Sequence, residues 1–206
     1  ASPAVIEPEN YDLCLALLNS NSARMFLKTF NPTMNLQPGD VSKVPYPVVR
    51  EKDHVAAVSR VLCSLSKSDW DSYETSWDFT TLPLLSPDHR FGTLEAIYAR
   101  LRGHWAGMTA EMQRLEEENN RIFVDAYGLK DELTPEVPIE EITLTCNPAY
   151  SIKGDMTDET REERLLERTM KELISYAIGC MFGRYSLDAP GLILANPGDT
   201  AQTYLD

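Results

Sequence analysis

The chain has 206 residues, 43% of them hydrophobic and 25% charged, which is enough to bury a core and too evenly mixed for a disordered segment. Its net charge of −13 has the wrong sign for a domain that tracks phosphates over a broad surface, so any nucleic-acid contact is confined to a local patch. One large domain or two small ones fit this length. No apolar run of about 18 residues and no secretory-type N-terminal stretch is present, which predicts a soluble, cytoplasmic protein without membrane contact.

From Asn10 to Phe30, Leu13, Ala16, Leu17, Ser20, Met25, Phe26 and Phe30 recur at mostly helical spacing behind Asn10 as cap, which predicts one amphipathic helix. Asn31-Pro32 stops it, and Pro38-Gly39, Pro45 and Pro47 exclude regular helix or central strand as far as Pro47. Met34, Leu36, Val41 and Val44 alternate with polar residues there, as in an ordered loop. Val55, Val58, Val61, Leu62 and Leu65 predict a second helix from about Glu51 to Leu65. Between Ser68 and Pro87, Trp70, Tyr73, Trp77 and Phe79 sit among Ser, Asp and Pro, the pattern of a turn-rich segment pinned by aromatic side chains.

The strongest periodicity follows. Leu94, Ile97, Leu101, Trp105, Met108, Met112, Leu115, Asn119, Ile122 and Ala126 step by threes and fours, one apolar stripe on a helix of roughly 50 Å that calls for an antiparallel or coiled-coil-like partner. Gly128 is placed to end it. Thr134-Pro135 looks like a cap with proline at the first helical position, and Ile142 to Thr145 like a short strand. Thr160-x-x-Glu163 has the capping-box pattern and starts a last helix through Leu166, Met170, Leu173, Ile174, Ala177, Ile178, Met181 and Phe182, closed by Gly183. After Pro190 no terminal element anchors the tail. The expected fold is mainly α: a helical bundle with a long helical hairpin or coiled-coil-like spacer and few short strands.

Chemistry-bearing residues are sparse. Cys14, Cys63, Cys146 and Cys180 are widely spaced, as are His54, His89 and His104, so reduced thiols and no metal site are expected. The acidic stretches, among them Glu116 to Glu118, fit solvated helix faces or a surface that docks a basic neighbour. Asn147-Pro148-Ala149-Tyr150 follows an apolar stretch, as the Asn-Pro-Pro-Tyr of amine methyltransferases follows a strand. Ala149 replaces the second proline, however, and no glycine-rich turn precedes the motif, so a proline turn is the simpler reading. The loop Asn31 to Asp40, flanked by Arg24, Lys28 and Lys43, offers Asn31, Asn35 and Gln37 for adenine edges and three cations for phosphates. The structural alternative is a loop whose Asn side chains bond backbone groups and whose Asp40 caps a turn. Trp70, Tyr73, Trp77 and Phe79 sit among Asp69, Asp71, Glu74 and Asp78, which favours packing over base stacking.

Taken in order, these motifs resemble one family. Leu17-Leu18-Asn19-Ser20, Phe26-Leu27-Lys28 and Asn31 to Val41 are similar to a "LLNS … NPTxNFQxGDI" segment near the target-recognition part of adenine-specific methyltransferases, with Leu36 and Pro38 in place of the more usual Phe and Val. Asp69 to Phe79, Asn120 to Leu129 with Asp131 to Pro135, and Ile174 to Asp188 narrow the resemblance to the adenine methyltransferase of BREX-type phage-exclusion systems. It implies a non-catalytic segment of a site-specific, S-adenosylmethionine-dependent DNA methyltransferase. Residues 1–47 would end the target-recognition region as helix plus loop, and 48–206 would form a helical spacer domain. Family catalytic and cofactor motifs lie N-terminal to the matched region, so no catalytic or cofactor-binding residue is carried over; the cofactor belongs to the parent enzyme. Arg24, Lys28, Asn31, Asn35, Gln37 and Lys43 are the expected DNA contacts. Expected partners are DNA through the parent enzyme, its other domains and other defence-system proteins. The rival reading is an acidic helical protein-interaction module.

Overall fold

Helical periodicity becomes seven α-helices among the residues that the computed structural model describes, which are 11–33, 35, 37–89, 92–193, 198, 200 and 202. They are α1 (Tyr11–Leu18), α2 (Asn21–Phe30), α3 (Pro38–Val41), α4 (Lys52–Asp71), α5 (Leu94–Tyr127), α6 (Pro148–Ser151) and α7 (Asp158–Met181), with 3₁₀ turns at Pro83–Leu85, Pro87–His89 and Ile139–Glu141. The protein is mainly α. No strand occurs among the described residues, and none of their helices is long and apolar enough to cross a membrane. Packing divides the chain into two compact units, Ala1–Leu65 with Ala110–Pro138, and Ser66–Thr109 with Ile139–Asp206. Both α4 and α5 contribute residues to each.

In the first unit, the single helix expected across 10–30 is two helices. Ser20 divides them: its backbone is extended, and its hydroxyl accepts from Ala23 N at 3.2 Å and donates to the Leu17 carbonyl at 2.7 Å, which caps α2. The expected cap at Asn10, and Met34 and Leu36 of the loop, lie outside the described residues. Helix ends leave backbone groups without partners, and α5 supplies them here. Asn119 donates from Nδ2 to the Ala16 carbonyl at 2.9 Å, and Asn120 Oδ1 accepts from the first amide of α2, Asn21 N, at 2.9 Å. Phe123 of α5 is buried with Leu13, Leu17, Ala23, Val49 and Val55, and removing such a ring from water stabilises by about 1.5–3 kcal/mol.

The α5 stripe is buried from Leu101 through Asn119 but then passes to Phe123 and Val124, leaving Ala126 exposed. A straight helix drifts about 20° per heptad against a strict 3.5-residue repeat, so the buried seam moves round by one position. Thr134-Pro135 starts no helix. The residues preceding Pro135 and Pro138 are steered away from helical geometry, and 134–138 form an irregular strap held by one face of α5. Gln113 donates to the Val137 carbonyl at 2.7 Å, Glu117 accepts from Val137 N at 3.3 Å, and Asn120 donates to the Pro135 carbonyl at 3.2 Å. Helix α4 outruns its apolar pattern by six residues, to Asp71, supported in its last turns by a Lys67–Asp71 ion pair at 2.9 Å.

In the second unit, the strand expected at 142–145 is absent, although its signal is real. Ile142, Leu144 and Cys146 are wholly buried at alternate positions, as in a strand, but side chains replace the ladder. Asp69 accepts from Thr145 N at 2.6 Å and Cys146 N at 3.0 Å. Arg168 donates to the Thr145 carbonyl at 2.6 Å, and Asn147 Nδ2 to the carbonyls of Ile139 and Ile142 at 2.8 and 2.9 Å. Burial of backbone polar groups demands such partners.

Helix α7 begins one turn earlier than the Thr160 box implied. Thr157 is the N-cap, accepting from Thr160 N, and Asp158 and Glu159 complement the positive end of the helix dipole. Gly183, at φ +73°, ends it in the left-handed region. Of the four aromatics expected to pin 68–87, Phe79 is buried edge-on to Tyr176 and Tyr185, whereas Trp70 and Trp77 are exposed. Tyr176 and Tyr185 stack at 4.8 Å. Just after Pro190, Gly191 N donates to the Thr80 carbonyl at 2.7 Å; most of the tail beyond 193 lies outside the described residues.

Two substitutions test this account. Asp69→Ala strands two amides of the buried 142–147 segment and should destabilise by about 2–4 kcal/mol, read from chemical denaturation. Gly179→Ala gains up to about 1 kcal/mol of helix propensity, yet its methyl group would lie 2.6 Å from the Tyr185 ring, which is only 2% exposed. Overpacking of about 1–3 kcal/mol should win, giving a lower unfolding midpoint.

Candidate nucleic-acid interface

Helix α2 carries Arg24 and Lys28 four residues apart, and Asn31 follows three residues later as its C-cap, with its N–H on the Leu27 carbonyl. That spacing puts all three on one helix face. Arg24 and Lys28 are exposed; Arg24 has an interaction partner within the protein. Beyond Asn31 the chain turns through Asn35 and Gln37, both exposed, into α3 and then Lys43.

Asp40 organises this turn. Its carboxylate accepts from Asn31 Nδ2 at 2.8 Å, Gln37 N at 3.3 Å and Lys43 Nζ at 3.2 Å. Asn31 also donates to the Asn35 carbonyl at 2.9 Å, while its Oδ1 accepts from Thr33 N at 3.0 Å and Thr33 Oγ1 at 2.6 Å. The structural reading of Asn31 and Asp40 is therefore the observed one: an Asn bonding backbone groups, and an Asp capping a turn. The Asn31 side chain is committed inside the loop. Hydrogen bonds from Asn31 and then Lys43 hold the Asp40 carboxyl below the usual carboxylate range.

Of the six expected contacts, the structure thus joins Asn31, Gln37 and Lys43 through Asp40, ties Asn35 to Asn31, and places Arg24 and Lys28 on the adjoining helix. Lys43 keeps its side chain 60% exposed while paired, and Lys28 makes no ion pair among the described residues. The loop is seated on the end of α5, where Tyr127 donates to the Pro45 carbonyl and meets Phe26 edge-on at 5.0 Å. Tyr127 was not singled out in the sequence, where it looks like the last apolar residue of a helix. The acidic run in α5 is also engaged: Glu117 holds the strap, and Glu118 pairs with His54 and with Arg114.

Asn147-Pro148-Ala149-Tyr150 is built into the second unit. Asn147 is 2% exposed, and its side chain caps α6 through Ala149 N and bonds two carbonyls. Its donors and acceptor are spent on the fold, so the motif does not fit the site of a target amine beside S-adenosylmethionine, and no methyl-transfer step is derived from it. Among the described residues no group of three or more His, Cys, Asp or Glu could hold a metal ion.

No protein-family model matches the chain. It is 38% identical over 194 residues to the adenine-specific methyltransferase PglX of Lacticaseibacillus casei (strain Zhang), an alignment covering 93% of this chain and 15% of that protein. It is also 34% identical over 185 residues to the adenine-specific methyltransferase BrxX of Escherichia coli O9:H4 (strain HS), covering 90% of this chain and 15% of that protein. Both are homologues of this chain. The match to the two methyltransferases runs through the loop, the long helix and α7 together, as the motif blocks implied. The chain spans about 15% of the length of the curated methyltransferases it matches.

The Asp40 clamp makes a signed prediction. A depressed folded-state pKa contributes stability that is present above the unfolded value and lost as pH falls through the folded one. The loop should therefore stay ordered at about pH 5 and loosen only below the ordinary carboxylate range. Carboxyl titration by NMR should give Asp40 a midpoint below that of a peptide aspartate, and Asn31→Ala should move it upward.

Proposed function

We propose that this chain is a segment of an adenine-specific DNA methyltransferase of BREX-type phage defence, and that it positions DNA and helps orient the recognition region while the methyl-transfer chemistry lies elsewhere in the parent protein. The observation that carries this reading is the clamped loop. Its backbone is held by Asn31 and Asp40, while Asn35 and Gln37 are exposed beside Lys28 and Lys43. Asn and Gln can pair bidentately with the N6 and N7 edge of adenine, a contact worth about 1–3 kcal/mol of discrimination. The flanking cations suit phosphates, and fixing the loop beforehand lowers the ordering cost of binding. With a net charge of −13 the contact stays local. Residues 1–47 supply this recognition edge, and 48–206 form the helical spacer domain.

In the methyltransferase that carries this segment, Asn35→Ala with Gln37→Ala should lower kcat/KM for the DNA site by about 10- to 100-fold and leave S-adenosylmethionine affinity unchanged. Lys28→Ala should weaken DNA binding at all sequences and reduce the salt slope by about one. Unchanged methylation and binding in both the double variant and Lys28→Ala would reject the reading.

A second reading, a protein-interaction module, draws support from a different place. Helix α7 has no charged residue from Leu173 through its end, and Ile174, Ile178, Met181 and Phe182 are exposed there, at the spacing by which helices dock. In that reading the face docks another part of the same methyltransferase, and Ile178→Glu with Met181→Glu would impair assembly without altering DNA affinity.

A further inference from the structure

The second unit contains an open cleft of about 380 Å³. Trp70 from the last turn of α4, Tyr73 and Glu74 from the turn after it, Leu82, Thr145, and Glu172 from α7 line it. Leu82 contributes apolar surface, and Trp70 leaves 56% of its own exposed. Each carboxylate has one arginine near it, at the outer limit of ion-pair distance. Arg168 Nε is 4.0 Å from Glu172 and its Nη2 is committed to the Thr145 carbonyl, while Arg184 Nη2 is 3.7 Å from Glu74. Burial raises the Glu172 carboxyl; Arg168 opposes the shift and the charge of Glu74 adds to it. Two acids held together in a partly desolvated cleft, each at the outer limit of ion-pair distance, are stabilised by any further positive charge that enters.

We propose that this cleft binds an organic cation, an alkylammonium or guanidinium group, with Trp70 and Tyr73 receiving its face and apolar stem and Glu74 and Glu172 its charge. Aromatic faces attract cations and pack against methylene stems, and charged hydrogen bonds to carboxylates fix the head group. The aromatic and aliphatic lining favours such a group over a hydrated metal ion, which needs several oxygen ligands and keeps its water. The same chemistry is offered by a lysine or arginine side chain of a protein partner and by a free polyamine.

The 206-residue chain can be titrated with spermidine, with Nα-acetyl-lysine methylamide and with the neutral Nα-acetyl-norleucine methylamide, following the three tryptophan indole N–H resonances by NMR. The Trp70 resonance should move saturably with the cations and not with the neutral probe, while exposed Trp77 and buried Trp105 stay in place. Glu172→Gln, followed at the Trp70 resonance, and Trp70→Ala, which removes that resonance and is followed by isothermal titration calorimetry, should each weaken cation binding by about tenfold or more. Trp70 is half-exposed, so its variant reports on the cleft even if Glu172→Gln disturbs folding. Tighter binding of the lysine amide assigns the cleft to a partner side chain, and tighter binding of spermidine to a polyamine. The proposal falls if neither cation moves Trp70, if the neutral probe moves it equally, or if both variants bind as the parent does.

Discussion

Every buried backbone amide and carbonyl has to find a partner, and among the described residues no sheet is present to supply them. That constraint governs each unit separately. In the first, Asn119, Asn120, Gln113 and Glu117 project from α5 to close helix ends and to hold the 134–138 strap. In the second, Asp69, Arg168 and Asn147 do the same for 142–147, a stretch whose apolar side chains are wholly buried. These side chains are therefore structural: each bonds a backbone group that the chain path leaves without a ladder or helix partner. The result is a set of α-helices joined by irregular segments that are nonetheless fixed in place.

This explains which parts were legible in advance. Helix α5 was readable almost to the residue, since nine apolar positions and Asn119 recur in steps of three and four and Gly128 ends the run at φ +71°. The body and end of α7 were readable for the same reason. What failed were decisions that depend on distant partners. Ser20 fits an exposed helical position as well as a cap, and Asn120, which receives the first amide of α2, is 99 residues away. Ile142, Leu144 and Cys146 are buried at alternate positions, but whether such a stretch joins a sheet depends on a neighbouring strand. The extension of α4 came from polar residues that carry no apolar period. The exposed tryptophans were misjudged because composition alone does not tell a ring that packs from one left facing solvent.

The loop was legible in a different sense. Its residue types admitted both a DNA-reading edge and an internally bonded turn, and the geometry shows the internal bonding of Asn31 and Asp40. Asn31 and Asp40 serve the turn; Asn35 and Gln37 project to solvent. The family resemblance came from ordered blocks of sequence, and homology along 93% of the chain to PglX agrees with it. Periodicity and charge alone would have ended at a helical protein with one small basic edge.

The form of the clamp has a consequence for divergence. Asn31 bonds the carbonyl of residue 35, and Asp40 bonds the amide of residue 37; both contacts are to main chain, and neither uses the side chains of Asn35 or Gln37. Mutation at Asn35 can therefore exchange its side chain without removing either clamp contact, whereas Gln37 is also the N-cap of α3 in a capping box with Asp40. The clamp thus tolerates drift in the side chain at position 35, which can change without the turn first having to be rebuilt.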